Sequence, residues 1–297
     1  MSLYRHAGYL IGLLTAAAVA SLAVGFLASA HPLTEGRSVL PMVTHLYGKL
    51  LACSQDWRAL AVLISSTLVA AHLIATLVVL ARTRRRHESL ALTLAVLPEN
   101  PPTHAVWEFL QEAGTRTRVR VLATTEPFAF CAGLLQPTIY VSTGTIKQLT
   151  DDELKAVLWH EKKHADDRDP LKIALLAVPR AVFGYLPALR LLITAFLRGR
   201  EYTADDYALR RSGDERTLLG ALAKLGPATS HAVHFSSGHD SFLSARIKRL
   251  LRPGYEPPVV ARRRWFLAGA TTLAILVAIP AVSLILTEAT HLGFLAI

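Results

Sequence analysis

The sequence predicts an α+β integral membrane protein, with three spanning helices and a hydrophobic hairpin attached to a cytoplasmic domain that holds a small β-sheet. Three observations carry that expectation. The chain of 297 residues is 52% hydrophobic and only 18% charged, with a mean hydropathy of +0.36. Its apolar residues gather into runs long enough to span a bilayer. Between those runs, short β-prone segments lead into a helix with a defined start at Thr150. The formal net charge of +10 suits either a membrane protein with basic loops or a nucleic-acid binder, and the placement of the arginines decides between them. Cys53 and Cys131 are too few and too far apart for a disulfide framework or a cysteine-rich metal site.

A bilayer core takes about 20 apolar residues. Ala7–Ala30 carries no charge, Ala59–Ala81 has His72 as its one titratable group, and Phe266–Leu286 has none. A cleaved signal peptide ending at the small residues of LASA is the rival for the first run, although such cores typically run to about 7–15 residues. Arg82, Arg84, Arg85 and Arg86 follow the second run, and Arg262, Arg263 and Arg264 precede the third. The loop from His31 to Arg58 has only Arg37, Lys49 and Arg58. The basic side faces the cytoplasm, so three regions follow: 1–82, a transmembrane pair with an outside loop at 31–58; 83–264, cytoplasmic; and 265–297, a last span and short tail. The arginines hug membrane ends and lack interleaved aromatics, so contact with anionic lipid is expected and direct nucleic-acid binding is not. For His72 a helix-packing role is expected.

Asn100–Ala113 reads as a helix after a proline-rich start, Arg118–Ala123 as a strand, and Phe128–Cys131 and Thr138–Ser142 as short strands around Gly133 and Pro137. Thr150 followed by Glu153 forms a capping box for the helix DDELKAVLWHEKKHAD. His160 and His164 then lie one turn apart on one face. Two imidazoles so spaced can grip one zinc ion, and Glu161 between them can act as general base toward a bound water. The plain alternative is a solvated charged turn, EKKHADDRD.

Catalytic zinc takes a third protein ligand. Asp166, Asp167 and Asp169 follow at once, but the next turn of one helix does not easily curl back onto the metal. The better candidate is Arg200–Ala208, a helical stretch entered after Gly199. There Glu201 can bind zinc, and Asp205, one turn on, can hold a histidine's second nitrogen. Alone, these acids would read as a solvated face. Glu201 can reach His160 only if the apolar stretch 171–198 crosses the bilayer an even number of times or not at all. Its Pro179, Pro187, Lys172, Arg180 and Arg190 favour a hairpin bent near Gly184–Pro187.

Taken in order, PFAFCAGLLQPTIYVSTG, TDDELKAVLWHEKKHADDRDP, a hydrophobic hairpin and REYTADDYA resemble the BlaR/MecR family of bacterial membrane metallopeptidases. The likeness extends more distantly to the HtpX and CAAX prenyl endopeptidases and covers Glu126–Leu251. It implies a gluzincin with one zinc ion per chain on His160, His164 and Glu201, and Glu161 as base. Asp205 matches the acid of the ExxxD motif, and Asp169 an acid that follows the histidine helix. The resemblance also places that helix beside an edge strand, expected here at Thr138–Ser142, which would bind an extended substrate by strand addition. Lys162 departs from the apolar residue usual at its place. HDSFLSARIKRL resembles an HP…RI segment, which makes His239 and Arg246 candidate transition-state stabilisers. The spacing is one residue longer and Asp240 replaces the proline, so an amphipathic helix with an exposed Arg246 is the alternative.

The beta-lactam sensors of that family carry a penicillin-binding domain after the last span. The short stretch past Leu286 has no S-x-x-K, so antibiotic acylation is not the expected trigger. The resemblance implies an endopeptidase of the bacterial cytoplasmic membrane whose active site faces the cytoplasm. It would act in signal transduction by cutting a DNA-binding transcriptional repressor or itself. A non-proteolytic zinc-containing transducer and an HtpX-like quality-control protease are the alternatives. The partners expected are a protein substrate and membrane lipid, with a homo-oligomer left open.

Overall fold

The computed structural model describes residues 19–20, 57–225, 239–252 and 262–291. The expected first span and the 31–58 loop lie outside the described residues, apart from helical residues 19–20 and 57–58. The chain divides into two units. The first comprises Met1–Arg5, Arg82–Ala177 and Thr194–Val260, and the second His6–Ala81, Val178–Ile193 and Ala261–Ile297.

Helix α1 (Trp57–Val96) leads into strand β1 (Glu99–Asn100), helix α2 (His104–Ala113) and strands β2 (Val119–Leu122), β3 (Ala129–Ala132) and β4 (Thr138–Ser142). Helix α2 begins after Thr103 rather than at Asn100. Pro101 and Pro102 hold the residues before them extended, and Asn100 pairs with Val121 instead. The strand order is β1-β2-β4-β3. β2 and β4 run parallel, with Val121 opposite Val141, and β3 pairs antiparallel to β4, with Cys131 opposite Ile139.

The strand expected at the sheet edge is therefore interior. Gly133, at φ 106°, makes the turn that folds β3 onto one side of β4, and β2 already occupies the other. β3 takes the edge position.

Helices α3 (Thr143–Gln148) and α4 (Asp151–Asp166) follow. Both halves of the capping box form: the Thr150 hydroxyl accepts from Glu153 N at 3.3 Å, and the Glu153 carboxylate accepts from Thr150 N at 2.8 Å. Lys224, in helix α7 (Glu215–Leu225), also reaches Glu153 at 2.6 Å. Gly220 lets α7 approach that carboxylate closely. Between α4 and the sheet lies the core, with Phe109, Ile139, Val141, Leu154, Leu158 and Trp159 all buried. Trp159 stacks edge-on against Phe109, and the Arg211 guanidinium lies 4.7 Å from its ring centre. This packing fixes which face of α4 is left for His160 and His164.

Helix α5 (Asp169–Val182) and helix α6 (Pro187–Ser212) are joined by a break at 183–186. Residues 178–193 belong to the second unit, so the chain leaves the first unit along α5 and returns to it along α6. Gly199 does not open a new helix, as expected from the sequence, but rides inside α6. Its cost of about 1 kcal/mol is a small one inside a 26-residue helix.

Helix α8 (His239–Leu251) closes the first unit, and helix α9 (Arg262–His291) contains the expected third span. Among the described residues, Ser66–Val96 is the one stretch long and apolar enough to cross a membrane. Within the second unit, His72 lies 5.6 Å from the Phe183 ring and 6.0 Å from Tyr185, and its Nδ1 donates to Leu68 O at 2.7 Å. On the other side of the same turn, Ala188 N donates to Thr272 Oγ1 at 3.1 Å.

Candidate metal centre

Helix α4 presents His160 and His164 on one face, as their four-residue spacing requires, and α6 brings Glu201 against them. All three are buried, and one ligand atom from each lies within 4.8 Å of the others. The two Nε2 atoms are 3.2 Å apart. Glu201 Oε2 is 3.6 Å from His160 Nε2, and Oε1 is 3.8 Å from His164 Nε2. Zinc–nitrogen bonds of about 2.0–2.1 Å in a tetrahedron put neighbouring ligand atoms about 3.3–3.4 Å apart. The three observed separations bracket that spacing.

A proton inventory points the same way. His164 Nδ1 donates to Asp169 Oδ2 at 2.6 Å, which leaves a lone pair on its Nε2. Asp205 Oδ1 sits 3.0 Å from His160 Nδ1, off the line of the N–H bond, and favours the same tautomer there. Two lone pairs facing each other at 3.2 Å repel unless a proton or a metal cation lies between them. Charge agrees as well. Glu161, Asp169, Glu201 and Asp205 are buried carboxylates, against two buried guanidiniums, Arg200 and Arg246. Among the buried groups two negative charges remain with the histidines neutral, which favours a cation there, while the part-exposed Lys172 lies 3.4 Å from Asp169.

Asp169 reaches His164 because Arg168, between α4 and α5, takes a left-handed conformation at φ 54°. That costs about 1–2 kcal/mol for a residue other than glycine, and it turns the chain back so that Asp169 lies under the histidine. Burial raises the Glu161 carboxyl pKa above its ordinary value, with His164 and His160 opposing. Such a carboxylate is a better base than an exposed one. Burial would also raise Glu201, but Arg200 and His160 hold it well below its ordinary range. Asp205 is likewise resisted by burial, yet Arg246 and His160 bring it down to about 2. Burial disfavours the His160 imidazolium, but Asp205 and Glu201 outweigh it and lift the pKa to about 9. A bound cation would take the place of that proton.

Arg246 of α8 is buried, not exposed. Its Nε and Nη2 donate to Asp205 Oδ2 and Oδ1 at 2.9 and 2.6 Å, and Nη1 lies 3.2 Å from Glu201 Oε2. Next along the helix, Arg249 donates to Asp206 at 2.6 Å. Arg246 thus reaches both Glu201 and Asp205 of α6. His239 opens α8, and its side chain lies outside the described residues. Lys162 is satisfied within its own helix by Asp166 at 2.7 Å. Sequence reasoning missed Arg200, whose Nη2 donates to Glu201 Oε1 at 2.6 Å. Adjacent helical positions do not normally face each other, so the spacing gave no sign of the pair.

Residues 104–253, half of the chain, match the family described as Peptidase family M48. The chain belongs to peptidase family M48. The matched stretch of this M48 peptidase runs from α2 past α8 and contains every residue of the cluster. Similar proteins are named Protease HtpX or Protease HtpX homolog. That of Methanopyrus kandleri is 31% identical over 127 residues, covering 33% of this chain and 40% of the relative. That of Legionella pneumophila is 29% identical over 168 residues, covering 44% and 60%. That of Thermococcus kodakarensis is 29% identical over 171 residues, covering 45% and 59%. The chain thus spans between 40% and 60% of the length of these three relatives.

Proposed function

We propose that this M48 peptidase is a membrane-anchored zinc endopeptidase that hydrolyses peptide bonds in protein substrates. The observation that carries the reading is the convergence of His160, His164 and Glu201 at tetrahedral spacing beside the buried Glu161. A zinc ion held by those three residues would supply Lewis acidity toward water and a substrate carbonyl. The protein's own part is to orient and to move protons. Asp169 and Asp205 fix the ring orientation of His164 and His160 so that both Nε2 atoms point at one place. Glu161, a strengthened base, takes a proton from water and returns it to the leaving amine. Edge strand β3, Ala129–Ala132, offers the backbone on which an extended peptide would add as a further strand.

The membrane setting rests on α1, where Leu73, Ile74 and Leu77 are exposed within the apolar stretch Ser66–Val96. It rests also on a match of depth. His72 lies ten residues before Arg82, and Thr272 lies eight residues after Arg264. At 1.5 Å per residue these are about 15 and 12 Å from the two arginine clusters, near the middle of a core about 30 Å thick. Both touch the α5–α6 turn. A hairpin dipping to mid-bilayer from the basic, cytoplasmic side accounts for this and returns Glu201 to the side it left.

For the substrate, the relatives named Protease HtpX favour the quality-control alternative, in which many membrane proteins would be cut. The motif order favours a signalling protease that cuts a DNA-binding repressor or itself, in the bacterial cytoplasmic membrane. Comparative proteomics of wild-type and Glu161→Gln cells separates them. Many membrane proteins stabilised in the variant supports the first, and one stabilised DNA-binding protein the second. No stabilised protein in any growth condition would contradict endopeptidase activity altogether.

A further inference from the structure

The two buried arginines do not play equal parts. Arg246 is neutralised by Asp205, to which it donates two hydrogen bonds, and only one of its nitrogens leans toward Glu201. Arg200 has its hydrogen bond to Glu201 Oε1 at 2.6 Å, while its Nε is buried without an acceptor among the described residues. An arginine kept for stability would satisfy its donors, since a buried donor left unmet costs about 1–3 kcal/mol.

We propose that Arg200 is a positioning residue that competes with the metal ion for Glu201, so that the site binds its dication less tightly and keeps it more electrophilic. Glu201 is the one candidate ligand with a net charge. Electron density that its carboxylate gives to a guanidinium is not given to the metal. In a site shielded from water, a fixed positive charge beside a dication also repels it strongly. Both effects weaken binding, and both leave the ion with more capacity to polarise what it holds. The consequence is opposite in sign to that of a structural arginine. Removing a structural support loosens the metal. Removing a competitor tightens it and slows the reaction.

The inference rests on the zinc reading above, and the test separates the two. The full-length protein in detergent, as wild type, Arg200→Gln and Arg200→Lys, is titrated with zinc against a chromogenic chelator. Its turnover of fluorescein-labelled casein is measured at saturating casein. Glutamine keeps a donor and loses the charge, and lysine keeps the charge. Arg200→Gln is expected to bind zinc about tenfold tighter, within the range usual for coupled sites, and to have a lower kcat. Arg200→Lys is expected to stay near wild type in both. Zinc binding that weakens or does not change in Arg200→Gln overturns the proposal, as does an undiminished kcat. Loss of zinc from both variants would mark Arg200 as a fold element and also overturn it. A wild-type protein that binds no zinc would instead overturn the metal site itself.

Discussion

Around His160 the chain buries charge, and along α1 it exposes hydrocarbon. Six ionisable side chains apart from the histidines, Glu161, Asp169, Arg200, Glu201, Asp205 and Arg246, are each under 9% exposed. In α1, Leu73, Ile74 and Leu77 are each above 60% exposed. Each pattern would be a fault in an ordinary soluble domain, where buried charges cost several kcal/mol and large apolar patches invite association. In the proposed function a dication would offset the first and lipid the second. On the function proposed above each region has a partner other than protein, and each can be tested by asking how it behaves without that partner.

The largest stability effect is expected at the site. Arg246→Ala leaves Asp205 and Glu201 short of a buried countercharge and should cost about 3–5 kcal/mol. Chemical denaturation checks this, and excess zinc should restore part of the loss if the dication and the guanidinium share one balance. Along α1, Leu73→Arg sharpens the contrast. In water, a substitution at so exposed a position changes stability by about 0.5 kcal/mol or less. In a bilayer it costs about 2.5–3.5 kcal/mol, read as failed membrane insertion in a fractionation experiment. Recovery of the variant in the membrane at the wild-type level would break the comparison.

Acid tests the site from another side. The folded pKa of Asp205 lies below its ordinary 3.8, at about 2. The stability it contributes is present above about pH 4 and is lost as pH falls toward 2, about 2 kcal/mol in all. A denaturation midpoint that stays flat over that interval in wild type would contradict the buried Asp205–Arg246 pair. Thr150→Ala removes one half of the capping box of α4 and should cost about 1 kcal/mol, without changing zinc stoichiometry. The smallest expected change is Arg168→Gly. Relief of its left-handed strain should roughly offset the added chain entropy, so the melting temperature should move little.

Much of the site was legible because its signals are local. A capping box, an i, i+4 histidine pair and the one-turn spacing of Glu201 and Asp205 are each set by helix period alone. The break near Gly184–Pro187 was legible because proline punctuates helices. What was not legible depended on partners distant in sequence. Thr138–Ser142 looked like an edge because strand composition does not reveal that β2 and β3 close on both its sides. Gly199 looked like a boundary because its cost, read alone, ignores the packing of a long helix. Arg246 looked exposable because nothing local says that α8 lays it on Asp205, some forty residues earlier in the chain. Asp169 was set aside as a third metal ligand because the next turn of one helix does not easily curl back, and the left-handed Arg168 that carries it to His164 Nδ1 has no local signal in the sequence.

The central claim is that His160, His164 and Glu201 hold a catalytic dication for which Glu161 is the base. It is tested most directly by purifying wild type, Glu161→Gln and His160→Ala in detergent, then measuring zinc by elemental analysis beside cleavage of labelled casein. Wild type should hold one zinc per chain and cut casein. Glu161→Gln should keep the zinc and cut about 100- to 10,000-fold more slowly. His160→Ala should lose both. Undiminished cleavage by Glu161→Gln, or full zinc retention by His160→Ala, would contradict the account.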